Sequence, residues 1–121
     1  MSVLVDTSVW IGHFRNRSPD LASLLAAGEV VSHPVIVGEL AVGGLRNRSQ
    51  TLADLRALPF LPECPFDHSL ALIELHRLYG IGLSWGDVQL LASALAYAIP
   101  LWTLDTTLRV RARALGAAWT P

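Results

Sequence analysis

The sequence predicts an α/β protein, a three-layer α/β/α sandwich built on a mostly parallel central sheet. Three observations lead there. Short apolar runs of strand length alternate with longer segments of helical period along the chain. The runs are rich in Val, Leu and Ile, as strands covered on both faces are. An apolar fraction of 52% against 16% charged residues fills the core of a 121-residue chain. One domain over residues 1–121 is expected, since no repeat, linker or low-complexity segment interrupts it.

Each element has its own signal. Val3-Leu4-Val5 is a buried strand ending at Asp6. Thr7 or Ser8 is placed to cap the helix that follows, with Val9, Trp10, Ile11 and Phe14 on it. The polar stretch 15–17 ends that helix. Ser18-Pro19-Asp20 combines a cap, a first-turn proline and a first-turn acid, a strong helix start. Leu21, Leu24 and Leu25 form its apolar face, and Gly28 stops it. Val30-Val31 reads as a second strand. Residues 34–41 fit either a strand, from Pro34-Val35-Ile36-Val37, or a helix opening at Pro34 and carrying Glu39 and Leu40. Gly43-Gly44 ends the segment.

A helix is expected over 51–58, then a strand-like piece between Pro59 and Pro62. Asp67 or Ser69 opens an amphipathic helix with Leu70, Leu72, Ile73, Leu75 and Leu78, closed by Gly80. Ser84 caps a helix running to Tyr97. Residues 99–103 form a buried strand that leads to Asp105. A last helix covers about 106–115, and Ala118-Trp119 closes the sheet.

Composition excludes several classes. The formal net charge of −1 advertises no nucleic-acid partner. All nine basic residues are arginine, which a coding bias explains as readily as phosphate recognition. Cys64 is the sole cysteine, so no internal disulfide forms, in keeping with a reducing compartment. The start, MSVLVDTS, lacks the basic region of a signal peptide. The longest apolar stretch, 90–102, falls short of the ~20 residues of a membrane helix. A cytoplasmic protein without membrane contact is expected.

Four carboxylates then stand out. Asp6 ends the first strand, Asp105 follows the last, and Glu39 and Asp87 sit within strongly apolar segments where a free carboxylate is costly. In an open α/β sheet, ligands bind along the carboxyl edge of the strands. Four acids brought to that edge repel one another, and a divalent metal offsets them. Each also has a structural reading. Asp6 and Asp105 suit helix caps, Asp87 stands in capping-box spacing after Ser84, and Glu39 suits a solvated helix face.

The remaining polar residues read as structure. His13, His33, His68 and His76 lack metal-ligand spacing. Arg109 and Arg113 share a helix face that Arg111 does not, and solvation explains them better than an RNA groove. Trp10, Trp85, Trp102 and Trp119 read as core or interface anchors. A receiver-type acidic pocket would need paired acids after the first strand and a lysine, and the chain has neither.

The motifs VLVDTSVW, VIVGEL, LSWGDVQLLASAL and LWTLDTTL, in that order, resemble those of the PIN-domain ribonucleases, and among them the VapC-type toxins of bacterial toxin–antitoxin pairs. The resemblance implies a metal-dependent endoribonuclease. Asp6, Glu39, Asp87 and Asp105 would form the acidic cluster, with Ser8 and Thr103 in support. Mg²⁺ or Mn²⁺ would be the cofactor, suiting carboxylate oxygens. It further implies an RNA substrate, a VapB-type antitoxin and a homodimer. Where many relatives carry another acid and an aromatic after the fourth motif, this chain has Thr107 and Leu108.

Overall fold

The computed structural model describes residues 1–121. Its elements are β1 (Val3–Val5), α1 (Thr7–Arg15), α2 (Pro19–Ala26), β2 (Val30–Val31), α3 (Pro34–Val42), α4 (Arg48–Arg56), α5 (Phe66–His76), α6 (Trp85–Tyr97), β3 (Leu101–Trp102) and α7 (Thr106–Ala114). The sheet is parallel in the order β2-β1-β3, with Val3 opposite Val30 and Leu4 opposite Leu101. Single parallel bridges widen it at both edges, Ser32 to Phe60 and Leu101 to Ala118. The pieces expected near Pro59 and at Ala118 therefore join the sheet.

β1 is central and wholly buried. Leu4, Leu21, Ile36, Leu90, Leu91, Leu101 and Leu108 are fully buried around it, which brings strands and helices into one core. Removing this much apolar surface from water is the main driving force for the fold. Trp10 and Trp102 belong to that core, and Trp119 packs tilted against Trp102, ring centres 4.7 Å apart. Trp85 differs: it is exposed and leans on exposed Phe66, 5.5 Å away. No helix is long and apolar enough to cross a membrane.

The ambiguous segment 34–41 is helical. Pro34 takes the first helical position, where its missing N–H costs nothing. The cap before it is His33, whose Nδ1 accepts the Val35 N–H at 3.1 Å. That bond fixes the tautomer. Nδ1 is the acceptor, so Nε2 carries the hydrogen and donates it to Ser93 Oγ on α6 at 3.1 Å. Ser93 Oγ in turn donates to the Pro62 carbonyl at 2.9 Å. A histidine that the sequence leaves unassigned thus joins α3, α6 and the 59–65 connection inside the core.

Other boundaries move for identifiable reasons. α5 begins at Phe66, after Pro65, without a side-chain cap, so neither Asp67 nor Ser69 opens it. It ends at His76 because Arg77 turns left-handed, before Gly80 is reached. Leu70 and Leu75 of its expected apolar face are exposed. α4 starts at Arg48, earlier than expected, after a left-handed Asn47. α2 and α6 follow their start signals: Ser18 Oγ accepts the Leu21 N–H, and Ser84 forms a full capping box with Asp87.

Burial holds the His33 ring below its ordinary pKa, against a smaller upward pull from the Glu63 charge. The unfolded chain therefore takes up this proton first. The stability that the neutral ring contributes is complete above about 6.5 and is lost as pH falls below that value. His33→Asn keeps a good cap but does not titrate. Melting temperatures at pH 7.5 and 5.5 should show a larger acid-side loss in the wild type than in this variant. Equal losses would contradict a buried neutral His33.

Candidate acidic active site

The ends of two strands, the starts of three helices and the middle of α3 converge on one edge. Asp6 leaves β1 and holds the N-cap position of α1. Asp105 follows β3 and caps α7, its Oδ1 accepting the Leu108 N–H at 2.9 Å. Asp87 sits in the first turn of α6, and Glu39 on α3, the helix that follows β2. This is the carboxyl edge of a parallel sheet, where strand ends and helix starts meet.

Asp6 is the most enclosed of the four, 5% exposed. Its side chain does not cap α1. Instead Oδ2 accepts two hydroxyl hydrogens, from Ser8 at 2.7 Å and from Thr103 at 2.7 Å. The two hydroxyls are themselves acceptors. Ser8 Oγ receives the Leu104 N–H at 3.0 Å, and Thr103 Oγ1 receives the Asp105 N–H at 3.0 Å. Ser8 is thus no helix cap, in contrast to the reading of its position. It links the start of α1 to the chain beyond β3.

The other acids are held in a similar way. Thr7 Oγ1 donates to Glu39 Oε1 at 2.8 Å, joining α1 to α3. Asp87 Oδ2 accepts the Ser84 N–H at 3.0 Å. In every case one carboxylate oxygen is held by a protein donor. The second one, Asp6 Oδ1, Glu39 Oε2, Asp87 Oδ1 or Asp105 Oδ2, accepts no hydrogen bond from the protein. Capping and site membership, alternatives in the sequence, coexist in Asp87 and Asp105. A cap uses one oxygen and leaves the other.

Electrostatics tie the four together. Burial raises the Glu39 pKa; Thr7 counters this, while the charges of Asp6 and Asp87 add to it. Burial also raises Asp87, opposed by its bonds to Ser84 and reinforced by Asp6 and Asp105. No arginine answers these charges. The one salt bridge in the chain joins the N-terminal amine to Glu29, both well exposed. The groove beside Glu39, about 630 Å³, is lined by Arg15 and Arg46 among others, but neither pairs with the acid. The α7 arginines, Arg109, Arg111 and Arg113, form no ion pair either.

Close packing at Gly86 narrows the site. A Cβ there would stand 3.1 Å from Val35 Cγ1 and 3.6 Å from Glu39 Oε2. Glycine lets the start of α6 approach α3, bringing Asp87 toward Glu39. Neither Thr7 nor Gly86 is apparent as a site residue in the sequence. The one signal is adjacency: each neighbours an acid.

The donor set fits a hard divalent ion. It is all oxygen, in excess negative charge, and supplied with free lone pairs. No three His, Cys, Asp or Glu side chains stand close enough together to enclose an ion by themselves. Mg²⁺ is commonly held through one or two carboxylates and keeps several waters, so a loose ring of acids suits it better than a cage.

The hydroxyl of Thr103 joins Asp6 to the Asp105 backbone at this edge. Thr103→Val keeps the shape but leaves Asp6 one donor short and the Asp105 N–H without its acceptor. Urea unfolding should show a loss of about 1–3 kcal/mol, and Thr103→Ser should recover most of it. A Thr103→Val protein as stable as wild type would contradict the network.

Comparison with known proteins identifies the family and the fold. The PIN-domain family model matches residues 3–114. The chain is 39% identical over 117 residues to the protein named Ribonuclease VapC32 of Mycobacterium tuberculosis, covering 96% of this chain and 94% of that one. The fold is also that of VapBC-1 from nontypeable Haemophilus influenzae, at a TM-score of 0.69 and 19% identity over 99% of this chain and 97% of that chain. It is shared with VapBC2 from Rickettsia felis, at a TM-score of 0.67 and 14% identity over 87% and 88%. The chain belongs to the PIN-domain family, in its VapC ribonuclease group.

Proposed function

We propose that this chain is a metal-dependent endoribonuclease, the toxin of a toxin–antitoxin pair, and that Asp6, Glu39, Asp87 and Asp105 carry its chemistry. The supporting observation is the acidic edge itself: four carboxylates, each with one oxygen held and one free, and no cation of the chain paired with them. The near full-length likeness to a ribonuclease supplies the reaction class.

The free oxygens of Asp6, Glu39, Asp87 and Asp105 would hold Mg²⁺ or Mn²⁺. When bound, such an ion offsets phosphodiester charge and acidifies a water. The chain's own contribution is orientation and basicity. Ser8 and Thr103 fix the Asp6 carboxylate against rotation. Glu39 and Asp87, pushed upward by burial and by neighbouring charge, are stronger bases than ordinary carboxylates. That upward push favours uptake of a cation that offsets the crowded charge. Attack of water in line on phosphorus, with the P–O3′ bond breaking and the departing 3′-oxygen taking up a proton, would leave a 5′-phosphate and a 3′-hydroxyl.

On this reading residues 1–121 act as one domain in the cytoplasm. A VapB-type antitoxin restrains the nuclease, and a second copy pairs with it. Exposed Ile11, Phe14, Val42, Phe66 and Leu75 leave apolar surface for such contacts.

One experiment joins these claims. Expression of the chain alone should arrest bacterial growth, and co-expression of its partner should relieve the arrest. Asp6→Asn and Asp87→Asn should abolish toxicity. In vitro each should lower RNA cleavage at saturating Mg²⁺ by at least about 10²-fold, with EDTA abolishing the wild-type activity. Asp20→Asn, at the start of α2, should behave as wild type. Wild-type cleavage by both site variants would reject the site. Metal-dependent cleavage in vitro without any effect on growth would reject the toxin role alone.

A further inference from the structure

α3 carries Glu39 and α6 carries Asp87, and the two helices meet at two places. At one, Val35 and Glu39 approach Gly86. At the other, His33 Nε2 donates to Ser93 Oγ at 3.1 Å. Both residues of this second contact are fully buried. Glu39 lies six residues beyond His33 along α3, and Asp87 lies six residues before Ser93 along α6. Each acid is therefore about 9 Å along a rigid helix from the same hydrogen bond.

The bond is one link of a chain with its hydrogens accounted for. The Val35 N–H donates to His33 Nδ1, His33 Nε2 donates to Ser93 Oγ, and Ser93 Oγ donates to the Pro62 carbonyl. Cys64 Sγ stands 3.8 Å from the same hydroxyl. Three segments, α3, α6 and the 59–65 connection, meet on one serine oxygen. None of these groups touches the acidic edge.

The acids at the other ends push the opposite way. The Asp87 charge works against ionisation of Glu39. Without the polar link, the α3–α6 contact retains its apolar part and the approach at Gly86, while the carboxylates still repel. The helices can relieve that repulsion by shifting apart. A shift of this kind widens the separation that an ion must span.

We propose that His33 and Ser93 are positioning residues: their hydrogen bond sets the placement of α3 on α6 and thereby the metal affinity of Glu39 and Asp87. This rests on the metal reading of the acidic edge. Groups that hydrogen-bond a metal ligand directly change affinity by about 10- to 100-fold; His33 and Ser93 act one step further back, so the lower end of that range is expected.

The test is direct titration of the metal-free protein with Mn²⁺, without RNA, followed by calorimetry or by the loss of free-ion paramagnetic signal. Melting temperatures are recorded alongside. Ser93→Ala removes the shared oxygen. His33→Asn keeps the cap of α3 but is too short to reach Ser93, and it serves if Ser93→Ala does not fold. Leu21→Ala, a core deletion in α2 away from both contacts, is the control for lost stability. Ser93→Ala and His33→Asn should each weaken Mn²⁺ binding about ten-fold, and Leu21→Ala should bind as wild type despite its lower melting temperature. Wild-type affinity in Ser93→Ala and His33→Asn would overturn the proposal, whatever their stability. Equal weakening in all three would overturn it too, as a general effect of destabilisation. A wild-type protein that takes up no Mn²⁺ would instead overturn the metal reading beneath it.

Discussion

Like-charge repulsion at one edge of the sheet is the constraint that the rest of the architecture answers. Four carboxylates are brought there by β1, α3, α6 and the turn after β3. Burial raises Glu39 and Asp87, and their neighbours' charges raise them further. Carboxylates held this way would drift toward solvent unless fixed. The protein fixes them with neutral donors rather than with arginine. Hydroxyls of Thr7, Ser8 and Thr103 and backbone N–H groups of Ser84 and Leu108 each hold one oxygen. Neutral donors orient a carboxylate without discharging it. The chain leaves the negative potential uncompensated.

The scaffold explains why so few residues suffice. A central buried β1 places Asp6 without freedom, because the strand beneath it packs on both faces. Ser8 and Thr103 then carry that order from β1 to β3 and on to Asp105. On the other side, Thr7 ties α1 to Glu39, and Gly86 lets α6 close on α3. Local sequence and long-range contact are coupled around Asp6 and Asp105: Thr7, Ser8 and Thr103, one or two positions away in sequence, make the cross-links.

Much of this was legible in the chain. Strand ends at Asp6 and near Asp105, the Ser18-Pro19 start and the Ser84 box follow from local chemistry, and the structure keeps them. Segment 34–41 was not decidable, since its apolar run fits both periods. What decides it is His33, acting as a cap through a ring nitrogen that joins α6, and such a tertiary bond leaves no local trace. Thr7 and Ser8 looked like caps because a hydroxyl before a helix usually is one. Their real partners are acids, one of them 32 residues away, as the Thr7–Glu39 bond shows. The α5 face marks a limit of periodicity: Leu70 and Leu75 fit the helical period yet face outward. Periodicity marks an apolar stripe, not what covers it.

The central claim is the division of labour within each carboxylate, one oxygen for the protein and one for the ion. The most direct measurement is the anomalous difference map of a crystal grown with Mn²⁺. The account expects density at the acidic edge, contacting directly or through water the free oxygens Asp6 Oδ1, Glu39 Oε2, Asp87 Oδ1 and Asp105 Oδ2, with the Ser8, Thr103, Thr7 and Ser84 bonds intact. An ion seated on the oxygens those groups now hold, or seated away from this edge, would contradict it.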